Sequence, residues 1–150
     1  MTKHRFGRTL AWVRSMRVDR PQFVGALMLG PIELRLPSDA QLSRVARLTA
    51  SGLAAMAGFD VGLIDDVKLA VSEVLLVLIE HGSGNIVSLT LSADGVAFTV
   101  RGSTTTESFD LHHPDIGLCR TVLGGIAVSH DITYAETRAE VWAVLRDLEA

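Results

Sequence analysis

Few residues in this chain have the types and spacing to do chemistry. The adjacent acids Asp65 and Asp66 could form a paired-carboxylate catalyst, but neighbours on a helix point about 100° apart and read as a solvated first turn. His112-His113 could hold a metal, yet no second ligand cluster with metal-site spacing accompanies them, so an exposed loop and no metal centre are expected. Cys119 stands near a helix start, which lowers a thiol pKa, but with no identifiable histidine partner it reads as a small core residue. His81, at a helix end where a cation favours the dipole, reads as structural. Walker, H-E-x-x-H and G-x-S-x-G signatures are absent. The most informative run is Asp65-Asp66-Val67-Lys68-Leu69-Ala70-Val71-Ser72-Glu73, continued by Val74-Leu75-Leu76-Val77-Leu78-Ile79-Glu80-His81. Taken alone, Glu73 within it is an acidic residue on a partly exposed helix face.

The elements that must position these residues follow from periodicity. Ile32-Glu33-Leu34-Arg35-Leu36 alternates like a strand with one buried face, and Pro37 ends it. Ser38-Asp39-Ala40-Gln41 has the form of a capping box. The helix it opens carries a stripe of Leu42, Val45, Ala46, Thr49, Leu53 and Met56, with Gly58 as a left-handed stop. Asp60 caps a second helix, striped with Ile64, Val67, Val71, Val74, Leu75 and Leu78 and ending near His81-Gly82. Ile86 to Leu91 and Val96 to Val100 predict a hairpin across Ala93-Asp94-Gly95. Thr104 to Pro114 reads as a loop, and Asp115 to Leu123 as a short helix interrupted by Gly124-Gly125. Ala127 to Thr133 and Arg138 to Leu145 are strands around a turn at Ala135-Glu136-Thr137, with Val141, Ala143 and Leu145 on one face and Trp142 in a packing role. This order predicts an α+β two-layer sandwich, helices on one face of a mixed, mostly antiparallel sheet.

Composition bounds the rest. A chain of 150 residues, 48% hydrophobic and 21% charged, suits one domain with one core. The single cysteine excludes an internal disulfide and a multi-cysteine zinc site and suits a reducing compartment, so the cytoplasm is expected. A mean hydropathy of +0.32 raises the question of a membrane span. The longest aliphatic run, Val74 to Ile79, falls far short of the roughly 20 residues a span requires. No signal-peptide pattern fits either, because basic residues interrupt the start and no clear cleavage site follows. Charge is divided: residues 1–20 carry Lys3, Arg5, Arg8, Arg14, Arg17 and Arg20 against Asp19, a net of +5, while residues 21–150 carry a net of −8. So acidic a body argues against nonspecific nucleic-acid binding by the domain itself. Residues 1–30 are read as a basic extension: flexible and solvated, or contacting nucleic acid or an acidic partner, or preceding a true start at Met28. Trp12 is a candidate partner anchor, and residues 31–148 form the domain.

The Val71-Ser72-Glu73 run and the His81 end, set in this element order, resemble the second helix of the bacterial anti-sigma factor and serine-protein kinase family, which has the GHKL or Bergerat ATPase fold. The resemblance extends from about Ile32 to Leu145. It implies that the helix glutamate, matched by Glu73, acts as a base or positions the attacking group, while an Asn four residues later coordinates magnesium. Residues i and i+4 share a helical face about 6 Å apart, so both would look into one pocket. Here that position is Val77, which has no oxygen or nitrogen to offer a hard cation. The family's Asp-x-Gly-x-Gly box, whose Asp reads adenine, should fall near Val100-Arg101-Gly102-Ser103-Thr104-Thr105-Thr106. It holds no Asp, and Glu107 and Asp110 are the nearest acids. The phosphate-receiving glycine turn is matched only by Ile116-Gly117-Leu118. Gly117 and Leu118 thus join Glu73 and Val77 as the implied nucleotide-binding positions.

With two of three nucleotide elements lost, the resemblance implies a transcriptional stress-response regulator acting by protein–protein binding, or partner switching: a pseudokinase with a closed or partner-filled pocket and no cofactor. Its implied partners are a sigma factor, an anti-anti-sigma antagonist carrying a phosphorylatable serine, and a second copy as homodimer. The alternative is an ATP-dependent serine-protein kinase acting on the antagonist, with Glu73 as base and ATP and magnesium as cofactors. A further alternative is a non-catalytic adaptor that keeps only the fold, which the sequence does not separate from the first reading.

Overall fold

The computed structural model describes residues 28–147, so the readings of Trp12 and of the basic run lie outside the described residues. Strand β1 (Leu29–Pro37) begins earlier than its alternating core, and Leu29 and Gly30, read from sequence as extension, already belong to it. Leu29 sits opposite Ala93 of the neighbouring strand, a pairing no local pattern announces. The cap that follows is Asp39, not Ser38: its carboxylate accepts from Gln41 N–H at 2.9 Å, while Ser38 N–H is held by Asn85 O. A 3-10 turn, Ala40–Leu42, then leads into α1 (Ser43–Met56).

The buried face of α1 is Ser43, Ala46, Ala50, Leu53 and Ala54. Val45 and Met56, expected in the stripe, are 45% and 64% exposed. Apart from Leu53 the apolar residues that face inward are alanines, because small side chains let α1 lie close against its neighbour. Gly58 takes φ +86° and lets Phe59 N–H reach back to Ala54 O, the expected left-handed stop. Asp60 caps α2 (Val61–His81) by accepting from Leu63 N–H at 2.8 Å. The expected α2 stripe is buried at Val67, Val71, Val74, Leu75 and Leu78, joined by Leu63, Ala70 and Val77.

Strands β2 (Ile86–Ala93) and β3 (Ala97–Thr105) form the expected hairpin, with Asp94 accepting from Val96 and Ala97 N–H across the turn. β3 runs five residues past Val100, because Arg101 to Thr105 pair with Trp142 to Arg138 of a strand far along the chain. The loop accordingly begins at Thr106. Helix α3 (Pro114–Ile126) passes through Gly124 and Gly125 instead of breaking there. Buried Leu123 anchors its last turn, and Ala127 N–H closes that turn on Leu123 O. Strands β4 (Ser129–Ala135) and β5 (Arg138–Arg146) meet at Glu136 and Thr137, both at positive φ (51° and 63°), the two-residue turn whose twist matches a hairpin.

The sheet order is β1-β2-β3-β5-β4, and every pairing is antiparallel. The element order predicts a mixed sheet, and a crossover helix does separate β3 from β4. That crossover does make them run the same way, but β5 folds back between them and removes the parallel contact. The three helices cover one face, giving the expected α+β sandwich. Its core joins Leu89, Leu91, Phe98, Val100, Val141 and Leu145 of the sheet to the α2 stripe. A Cβ on Gly102 would stand 2.6 Å from Val74 Cγ1 and 2.8 Å from Leu78 Cδ1, so α2 lies directly on the β3 backbone at this point. Trp142 faces the other side of the sheet, where Arg101 lies 5.8 Å from its ring centre and pairs with Glu140. Among the described residues no helix is long and apolar enough to cross a membrane.

Candidate functional site

Glu73, Val77 and His81 are spaced four apart on α2 and form one line along the helix, and α3 meets that line at both ends. At one end the Cys119 thiol lies 3.9 Å from Glu73 O. At the other, His81 Nε2 and Asp115 Oδ2 are 3.0 Å apart. Val77, between them, is 5% exposed and part of the core. Ile116, Cys119 and Leu123 turn into the protein and hold α3 down. The same geometry turns Gly117 and Leu118 outward: Gly117 is exposed and a Cβ there would meet no atom within 4 Å, and Leu118 is 63% exposed.

The Glu73 carboxyl is half-buried, and its pKa is raised from the ordinary carboxylate value, first by burial and then by repulsion from Glu80. The fold therefore favours the protonated acid. Its stabilising contribution is complete below the ordinary value and is lost as pH rises through the folded one. Glu73→Gln is expected to raise the melting temperature at neutral pH, an advantage that disappears below about pH 4 where the native carboxyl is also neutral. Thermal unfolding of both proteins across that range measures it.

Cys119 is 1% exposed, and burial, with the Glu73 charge adding to it and Arg120 opposing, pushes its thiol up to about 12. The lowered pKa that a helix start could provide is not realised, because the sulfur points into the protein. Being the only cysteine, it gives a clean readout. The native chain is expected to resist iodoacetamide at about pH 8 and to be alkylated only when unfolded, as mass spectrometry of the two states would record.

The segment leading into α3 is built by polar contacts. Thr106, 3% exposed, accepts from Ser83 N–H at 2.8 Å, donates to Ser108 O and receives the Tyr134 hydroxyl at its own carbonyl. Phe109, 7% exposed, packs with its ring 6.0 Å from that of Tyr134. This is the stretch adjoining the implied adenine box, and its two acids are exposed: Glu107 projects outward, and Asp110 accepts from His112 N–H to shape the turn. His113 then caps α3 by accepting from Asp115 N–H at 3.1 Å. Its ring lies 4.4 Å from that of His81. No ligand cluster accompanies His112-His113 in the sequence; the fold brings His113 together with His81 and Asp115, which lie 34 residues apart in the chain, three groups that could hold an ion. No spacing rule spans that distance; from sequence His81 falls at a helix end and His113 in a loop. Asp65, in contrast, is exposed and pairs with Lys68 at 3.3 Å, as a solvated first turn should.

Two clefts lie away from α3. One of about 320 Å³ is lined by Arg35, Asn85, Ser88, Ser103 and Arg138. Another of about 400 Å³ lies beside Arg44 and Arg47 at the start of α1. Neither includes Glu73, Val77, Gly117 or Leu118.

No family model matches the chain. Serine-protein kinase RsbW of Oceanobacillus iheyensis is 35% identical over 86 residues, 53% of each chain. Serine-protein kinase RsbW of Listeria monocytogenes serotype 4a is 39% identical over 56 residues, 37% of this chain and 36% of the relative. The chain thus spans about half the length, or less, of the curated relatives it matches. A crystal structure of the RsbU and RsbW domains of Rv1364c from Mycobacterium tuberculosis aligns with a TM-score of 0.62 at 14% identity, covering 79% of this chain and 32% of that one. In fold over most of its length the chain resembles that crystal structure, and in sequence over about half or less it resembles the RsbW serine-protein kinases.

Proposed function

We propose that this protein is an anti-sigma-factor-like regulator of the cytoplasm that works by binding other proteins, with no use of the nucleotide positions its relatives' names suggest. The observation that carries the reading is the line Glu73-Val77-His81. If the family's arrangement held, this line would face nucleotide and magnesium. Here α3 lies against its two ends, and its middle residue is a core valine without a donor atom. Glycine and leucine at 117 and 118, the implied phosphate turn, point to solvent from the far side of α3. Recognition of a sigma factor and of an anti-anti-sigma antagonist needs surface rather than turnover, and a regulator of this kind loses nothing by closing the seam. Pairing of two copies is part of the same reading.

A serine-protein kinase acting on the antagonist is the second reading. It is favoured by Glu73, the implied base, whose half-buried carboxyl has its pKa raised by burial and by Glu80. Phosphoryl transfer rests on positioning and charge neutralisation, however, and a valine supplies neither to a magnesium ion. An adaptor that keeps only the fold differs from the first reading solely in its partners.

The test is direct binding of the purified full chain to the sigma factors and candidate antagonists of its own genome. Calorimetry would be run with and without MgATP, alongside transfer of labelled γ-phosphate. Binding to a sigma factor or antagonist that is indifferent to MgATP, with no label on the antagonist, is expected. Labelled antagonist serine would establish the kinase reading, and failure to bind any sigma factor or antagonist would leave the adaptor.

A further inference from the structure

We propose that His81, His113 and Asp115 form a binding site for one divalent transition-metal ion of the zinc, cobalt or nickel class, a clip between the end of α2 and the start of α3. One ligand atom from each of the three lies within 4.8 Å of the others. His81 Nε2 is 3.0 Å and His113 Nδ1 is 3.7 Å from the same oxygen, Asp115 Oδ2. Ligand bonds of about 2.0–2.2 Å around a tetrahedral ion set neighbouring ligand atoms roughly 3.3 Å apart. The two separations straddle that value, so the three groups can close on an ion with small side-chain movements.

The donor set decides the class of ion. Two imidazoles and one carboxylate suit zinc and its neighbours, whereas magnesium and calcium call for oxygen. The site is therefore different in kind from a magnesium position at residue 77, and it stands whether or not nucleotide binds. Its surroundings are mixed. The C-terminal end of the 21-residue α2 favours a cation, and the N-terminal end of α3 disfavours one. The Asp115 carboxylate and the −8 net charge of residues 21–150 tip the sum toward the ion. The His81 side chain is 14% exposed and fixes one ligand within the fold, while His113 and Asp115, 42% and 55% exposed, leave room for water in the remaining positions. His113 Nδ1 also accepts the cap hydrogen bond from Asp115 N–H, so an ion on that nitrogen exchanges one cap bond for metal–ligand bonds that tie the two helices together. Occupancy would thus fasten α3 more firmly over the seam.

The experiment is titration of the metal-free full chain with Zn²⁺ by calorimetry and with Co²⁺ by visible ligand-field absorption, together with melting curves. One equivalent is expected to bind and raise the melting temperature, and Mg²⁺ is expected to do neither. His81→Gln, Asp115→Asn and His113→Asn, the last keeping a side chain able to cap α3, should each abolish the one-equivalent binding while circular dichroism shows them folded. His112→Ala and His4→Ala should retain it. Absence of stoichiometric Zn²⁺ and Co²⁺ binding by the native chain would overturn the proposal. So would binding that survives in the folded site variants or is lost with His112 or His4. Should one site variant fail to fold, the other two decide the matter.

Discussion

Val77→Asn is expected to destabilise the protein by roughly 2.5 to 6 kcal/mol and to confer no nucleotide binding. Val77 is 5% exposed within the core, so the substitution removes a buried aliphatic side chain, about 1.5–3 kcal/mol, and inserts an amide without a partner, about 1–3 kcal/mol more. Denaturant unfolding monitored by circular dichroism measures the loss. Calorimetry with MgATP checks the second half: the amide restores a magnesium ligand by residue type only, because α3 still lies against the line on which it sits. Gain of MgATP binding by this variant would mean that a single side chain, not a closed seam, separates the chain from an active nucleotide site.

Ile116→Ala is expected to cost about 2 to 5 kcal/mol, the range for truncating a buried aliphatic side chain to leave a cavity. Ile116 is fully buried in the first turn of α3, so its loss should loosen the element that covers α2. Leu118→Ala, two residues on but 63% exposed, should change stability by no more than about 0.5 kcal/mol. Urea unfolding gives both values. Native-state hydrogen exchange should show the α3 amides losing protection in the Ile116 variant more than those of β2 and β3.

How far the molecule could be read from its sequence depended on the range of each interaction. Asp60, Gly58 and the apolar line of α2 were legible because caps, left-handed stops and helical stripes are local. The face of α1 was legible at Ala46 and Leu53 but not at its edges: the pattern favoured the larger Val45 and Met56, which are exposed, whereas close helix packing selected Ala50 and Ala54. The second half of β3 was invisible because its partner, Arg138 to Trp142, lies 33 to 41 residues away in the chain, more than a local pattern spans. At the candidate site, Val77 told by chemistry alone what it could not bind. The approach of α3 to Glu73 and the convergence of His81, His113 and Asp115 arise only from tertiary packing, and no motif encodes either.

The most direct test of the proposed closed seam is thermal unfolding of the full chain with MgATP and with MgADP at millimolar concentration. Nucleotide present at 100 times its dissociation constant would add about 2.7 kcal/mol to stability, a shift of several degrees for a domain of this size. Unchanged melting temperatures are predicted. A saturable rise that Glu73→Ala abolishes would contradict them and put a working nucleotide site beside α2.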